Sequence, residues 1–338
     1  MKTIFISSMR RCVQFSTNNA DVLAYLLAKK KELLNSLPGY HVTLRSRKVD
    51  AEVTLRIDAS ALRSVSSDAK STYINCSPPT ARSQEYMNHE IRELLLWAFA
   101  RVNETSENFI LHSSAVQLGK HVVLFIGDSG AGKTSMATAM VLNKGACLLS
   151  DNTTVVRAQA GTPRIVDGTL KPSLSNVVLH ACFPDLVINR KDKSENLDIE
   201  GPLKCRSAQE ILTKAPRIDY AFFLRLYPFA YPAVYCEQHN AVRSRKKTYS
   251  ILASYPGDSV FLASLGGILA VQPTEDVLAA RRTFVEQWSN SVKTYTLAGN
   301  LEFAAKKVCS LVVPENQDVD LRVMCRSAAL SRSSAKDS

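Results

Sequence analysis

Eight residues in a row could do chemistry: Gly127, Asp128, Ser129, Gly130, Ala131, Gly132, Lys133 and Thr134, directly after the apolar run 122–126. A tight turn needs one glycine or two; this stretch uses three and adds a lysine and a hydroxyl. Glycine tolerates positive φ and lets main-chain N–H groups come close to an anion. The order matches G-x-x-x-x-G-K-[ST], whose backbone cradles nucleotide phosphates. A helix beginning near Lys133 would aim its unpaired N–H groups and positive end at the same anion. Lys133 would neutralise the β- and γ-phosphates, and Thr134 would hold magnesium through its hydroxyl. Ser135 extends the nucleotide-contacting set. The ligands this pattern predicts are ATP and Mg2+.

Such a loop specifies a nucleotide but not a reaction. The neighbours narrow it. The next apolar run, "ACLLSD", ends in Asp151, 18 residues after Lys133. A carboxylate so placed could bind magnesium beside Thr134 or take a proton from a hydroxyl. His112 lies in "LHSSA", ahead of the strand that leads into the loop. Weaker candidates are Lys171 and Asp167 in or near a turn, and Arg190 and Arg206 beside a polar stretch that could cover a phosphate.

Residues 109 to 156, from "FILHSSAVQL" through the loop to "SDNTTVV", resemble the catalytic core of bacterial HPr kinase/phosphorylase and its relatives. The resemblance implies a mixed β-sheet core related to phosphoenolpyruvate carboxykinase. It makes His112 an active-site histidine near the transferred phosphate, and Asp151 the acid that accepts the proton of the substrate hydroxyl. Lys133 joins them as the third catalytic group. Asn152 replaces the family's second acid, and Thr134-Ser135 its usual Ser-Glu. Those departures point away from the protein HPr as substrate and toward relatives that phosphorylate other hydroxyls. Family members assemble as rings or dimers, so a homo-oligomer is a further expectation. One fewer negative charge beside Asp151 favours its ionised form at neutral pH.

The elements that must position these groups are legible from spacing. Residues 21 to 36 and 86 to 102 carry apolar residues at helical intervals. "YHVTLRS" and "AEVTLRIDAS" alternate as half-buried strands. "FILHSSAVQL" and "HVVLFIG" flank a Gly119-Lys120 turn and read as a hairpin, as do "NTTVVRA" and "PRIVDG" around Gly161. A helix follows the loop and stops at Gly145. Farther on, "IDYAFFLRLY" is a buried strand, "PTEDVLAARRTFVEQW" an amphipathic helix, "VKTYTL" a strand, and Asn300 opens a last helix. The expected class is α/β, with a small α+β N-terminal domain over 1–85. A P-loop catalytic domain covers 86–325, and a disordered tail 326–338.

Composition bounds the rest. With 46% apolar and 22% charged residues in 338, the chain is that of a globular protein. No apolar run approaches the ~20 residues needed to span a bilayer, so no membrane partner is expected. The five-residue apolar patch near the start is too short for a secretory signal. Eight scattered cysteines without a C-x-x-C pair read as free thiols in a reducing cytoplasm. The net charge of +11 suits an anionic partner, but the basic residues are dispersed, so nucleic acid is not expected. The function implied is an ATP-dependent kinase acting on a hydroxyl-bearing peptide, protein or metabolite. Its rivals are a non-catalytic nucleotide sensor and a nucleic-acid-stimulated ATPase.

Overall fold

Nineteen strands and eight α-helices form among the described residues, giving an α/β chain with several mixed sheets. The computed structural model describes residues 1–28, 33, 37–57, 64–67, 70–76, 84–104, 107–170, 172–186, 196–198, 208–227, 233–254, 259–262, 267–270 and 273–313. They fall into two compact units, each built from separate stretches. Unit 1 comprises Met1–His112, Asn152–Thr169 and Asn240–Ser291. Unit 2 comprises Ser113–Asp151, Leu170–His239 and the described part of Val292–Ser338. Elements are numbered along the chain, with β13 (Ser173–Ser175), α4 (Asn176–Cys182), β14 (Asn196–Asp198), α5 (Ala208–Thr213), β17 (Ser259–Leu262) and β18 (Gly267–Ala270) among the short ones.

Unit 1 begins with a hairpin, β1 (Lys2–Ser8) and β2 (Arg11–Thr17), followed by α1 (Ala20–Ala28). Its six-stranded sheet has the order β3-β1-β2-β4-β6-β5, with β3 (His41–Thr43), β4 (Ala51–Ile57), β5 (Ser64–Ser67) and β6 (Ser71–Cys76). The expected alternation in β4 holds: Val53, Leu55 and Ile57 are buried and Glu52 and Arg56 exposed. The helix expected over 86–102 is α2 (Gln84–Glu104). Its Ile91, Leu94, Leu95, Ala98 and Phe99 share a core with Ile4, Ile6, Val13, Phe15, Val53 and Leu55. Each of these side chains except Ala98 contributes about 1.5–3 kcal/mol by leaving water. The boundary expected near residue 85 lies inside unit 1.

The same unit holds a three-stranded sheet, β12-β11-β7, from β7 (Asn108–Leu111), β11 (Thr154–Gln159) and β12 (Thr162–Gly168). The hairpin around Gly161 forms as expected, with Ala160 and Gly161 both at positive φ. Helices α6 (Ala241–Ser254) and α7 (Glu275–Ser291) complete it. Phe284 of α7 packs on Phe109 of β7 with ring centres 4.8 Å apart, and Arg281 pairs with Glu104 of α2 at 2.7 Å.

Unit 2 is built on one mixed sheet of order β10-β8-β9-β15-β19-β16. Strands β8 (Ser113–Leu118) and β9 (His121–Ile126) form the hairpin that Gly119-Lys120 announces. Strand β10 (Cys147–Ser150) pairs with β8, while β15 (Tyr220–Leu226) and β19 (Lys293–Gly299) run parallel to β9; β16 (Val234–Gln238) closes the edge. Helices α3 (Lys133–Lys144) and α8 (Leu301–Val312) bring Met136, Met140, Ala304 and Val308 into one core with Phe125, Phe222 and Leu297. Asn300 caps α8 as its sequence position predicts, its Oδ1 accepting from Glu302 N and Phe303 N.

Two expectations change. "FILHSSAVQL" is not one strand: the chain bends at His112, so Leu111 pairs with Thr154 in unit 1 and Ser113 with Ile126 in unit 2. Cys12, Cys76, Cys182, Cys236 and Cys309 are free, but Cys147 is disulfide-bonded, which corrects the all-thiol reading. Strands β1 and β2, not assigned in the sequence reading, pair along their whole length and bury Ile4, Ile6, Val13 and Phe15. Lys171, Arg190, Arg206 and the tail from 326 lie outside the described residues.

Candidate functional site

The site lies within unit 2, where β9 hands the chain to α3. Residues 122–126 are all buried between β8 and β15, which fixes where the strand must end. Three glycines then do three different things. A side chain at Gly127 would meet Ala131 Cβ at 2.8 Å and the Leu224 carbonyl oxygen at 2.9 Å. One at Gly132 would meet Leu226 Cβ at 2.9 Å, and Gly132 also sits at φ +91. Gly130 has open space around it but requires φ +78. Close approach of β15 dictates the first and third positions, and backbone conformation the second and third. Leu226 N donates to the Ala131 carbonyl at 3.1 Å and pins the loop to β15.

Asp128, Ser129 and Gly130 form the exposed tip, and Ala131 is half-buried. Helix α3 starts at Lys133 with Gly132 as its N-cap, and no side chain caps it. The first-turn N–H groups therefore lack the side-chain acceptor that a Ser, Asp or Asn would supply. Ser135 is buried in that first turn.

Lys133 is buried, and its Nζ donates to the carbonyl oxygens of Gly127 at 2.9 Å and Asp128 at 2.7 Å. Burial lowers its pKa to about 8, against the opposing charges of Asp151 and Asp128. Thr134 Oγ1 lies 2.9 Å from Oδ1 and 3.1 Å from Oδ2 of Asp151. Asp151 is 2% exposed and also accepts a short hydrogen bond from Ser114 Oγ on β8. A register shift between Leu148 and Ser150 interrupts the β10–β8 ladder just before Asp151. Such a bulge re-aims the residues that follow it.

The structure therefore brings together, in unit 2, Gly127 to Ser135 and Asp151. His112 belongs to unit 1, where its Nδ1 is 3.0 Å from the Asn152 carbonyl oxygen. A carbonyl only accepts, so this nitrogen carries the proton. Asn152 itself sits at φ +68, a left-handed position that asparagine tolerates better than most residues. Asp167, weighed as a metal ligand, is also in unit 1. Sequence reading missed Ser114, whose only signal is its place two residues after His112, and the backing role of Leu224 and Leu226.

One hydroxyl and two carboxylate oxygens converge at Thr134 and Asp151. That hard-oxygen set fits magnesium, which is held by one or two carboxylates together with substrate phosphates. Among the described residues no group of three or more His, Cys, Asp and Glu side chains could hold a metal alone. No helix among them is long and apolar enough to cross a membrane. No protein-family model matches the chain, and no curated protein sequence matches it.

Proposed function

We propose that this protein is a magnesium- and ATP-dependent kinase that transfers the γ-phosphoryl group to a hydroxyl of a peptide, protein or small metabolite. The observation that carries the reading is the contact of the Thr134 hydroxyl with both oxygens of buried Asp151, one residue after the loop lysine. A loop that gripped phosphates without magnesium would need no carboxylate at that point; one that also holds magnesium would, and the same carboxylate is then placed to act on an acceptor hydroxyl.

In this reading the loop amides and the start of α3 bind the phosphates. The Lys133 ammonium, held by Gly127 and Asp128 carbonyls in this structure, turns to the β- and γ-phosphates when they enter. Thr134 and Asp151 would hold magnesium, which supplies charge neutralisation on the phosphate oxygens. Asp151 orients the acceptor hydroxyl and takes its proton, a contribution of about 10²–10⁴ in rate for a positioned base. Ser114 and Thr134 fix the carboxylate's direction by donating to it. The resemblance adds His112 as a further member, but the reading does not depend on it.

The test is a mass-spectrometric screen. The full chain, ATP and magnesium are incubated with libraries of serine- and threonine-containing peptides and of small alcohols. Gain of one phosphoryl group on some acceptor, absent with Lys133→Ala, supports the kinase. Tight ATP binding with no transfer to any acceptor supports the nucleotide sensor instead. Turnover that rises only with added RNA or DNA, and falls steeply with salt, supports the nucleic-acid-stimulated ATPase.

A further inference from the structure

Unit 1 contains a polar cavity of about 280 Å3 whose walls include Arg10, Arg11, Asn103, Asn108, Arg157 and Asp167. It opens at the β1–β2 turn. Met9 and Arg10 occupy the two central turn positions at φ +52 and +61, a left-handed pair that normally calls for Asn-Gly. The turn buries Met9 and leaves Arg10 exposed at the rim.

Charge is unevenly matched there. Arg11 is paired with Asp50 at 3.4 Å. Arg157, exposed on β11, donates through Nε to Asn108 Oδ1 at 2.6 Å, a neutral partner that fixes the guanidinium without neutralising it. Asp167 accepts from Gly168 N at 2.8 Å. Two buried carboxamides line the floor. Asn103, 1% exposed, uses its Nδ2 on the Phe99 carbonyl and Met9 sulfur. Asn108, 6% exposed, accepts from Arg157 through its Oδ1.

We infer that this cavity binds a small metabolite bearing an oxyanion, a carboxylate or phosphate, held by the Arg10 and Arg157 guanidiniums with the Asn103 and Asn108 carboxamides hydrogen-bonding its polar body. Guanidinium forks suit both kinds of oxyanion. The turn holds Arg10 at the rim at a conformational cost, as strained backbone at binding sites commonly does. A protein needing only a tight hairpin would place glycine at this position.

Calorimetric titration of the full chain carrying Lys133→Ala, so that the Gly127–Thr134 loop does not compete, tests this with inorganic phosphate and, separately, malonate. Saturable binding of either, weakened about tenfold or more by Arg157→Met and by Arg10→Gly, is expected. Response to phosphate alone, to malonate alone or to both then identifies the oxyanion. Arg10→Gly should also leave the thermal midpoint unchanged or higher, because glycine relieves the turn; a merely structural Arg10 would give a lower midpoint. If Arg157→Met does not fold, Arg10→Gly carries the test. Absence of saturable binding by both probes, or binding indifferent to both substitutions, overturns the inference.

Discussion

The Thr134 hydroxyl touches both carboxylate oxygens of Asp151, joining the first turn of α3 to the end of β10 at 2.9 and 3.1 Å. The contact makes the loop and the acid one unit of structure. A nucleotide that reorders the loop must also act on the carboxylate.

Lys133 should matter for binding far more than for folding. Its buried ammonium hydrogen-bonds main-chain carbonyls and its burial disfavours the charge, so Lys133→Met removes that burial cost while losing the attraction of Asp151 and Asp128, two effects that oppose each other in folding. ATP affinity should fall at least about tenfold, the worth of one charge-assisted hydrogen bond, while the denaturant midpoint holds. Calorimetry and a urea titration read the two separately.

The loop glycines should rank by cause. Gly127→Ala and Gly132→Ala force contacts of 2.8–2.9 Å with Ala131, Leu224 or Leu226 and should cost about 1–3 kcal/mol. Gly130→Ala meets no atom within 4 Å and bears only its positive φ, about 1–2 kcal/mol. Trimming Leu226 to alanine should return part of the loss at position 132 and none at 127. Urea unfolding of the set checks the order.

Arg281 and Glu104 form an almost fully buried ion pair at 2.7 Å within unit 1. Removing either partner alone should cost about 3–5 kcal/mol, because the other charge remains buried. Replacing both with apolar residues of similar size should cost much less than the sum of the single losses. A double-mutant cycle in urea gives both numbers.

Asp167 supplies a pH dependence. Burial raises its pKa, opposed by the Gly168 amide and by Arg10. The folded state therefore holds this proton more tightly than the unfolded chain. The stability it contributes is present at acid pH and fades as pH rises from the ordinary carboxyl range through the raised value. Asp167→Asn should flatten that part of the stability profile, measured by thermal unfolding across pH.

Much of unit 2 is legible in the sequence because its signals are local. The Gly119-Lys120 turn, the glycine loop, the Gly145 stop and the Asn300 cap each mark an element end by their own chemistry. The β1–β2 hairpin is hidden for two reasons. Ile4, Phe5 and Ile6 are buried in succession, which erases the alternation of a half-buried strand, and the turn uses Met9 and Arg10 rather than glycine or asparagine. The break at His112 is hidden too, since Leu111 and Ser113 are both buried and only long-range pairing assigns them to different sheets. Asp151 could be expected as an acid after the loop. Its bonds to Thr134 and Ser114 come from the alignment of β8 and β10, which one chain's spacing does not encode.

The most direct measurement compares wild type with Asp151→Asn in two assays on the same preparation: equilibrium binding of ATP with magnesium, and transfer of label from γ-labelled ATP to the best acceptor. The account predicts that binding changes by less than about tenfold while transfer falls by about 10²–10⁴. Transfer that survives the substitution undiminished, or a wild-type chain that binds no nucleotide, would contradict it.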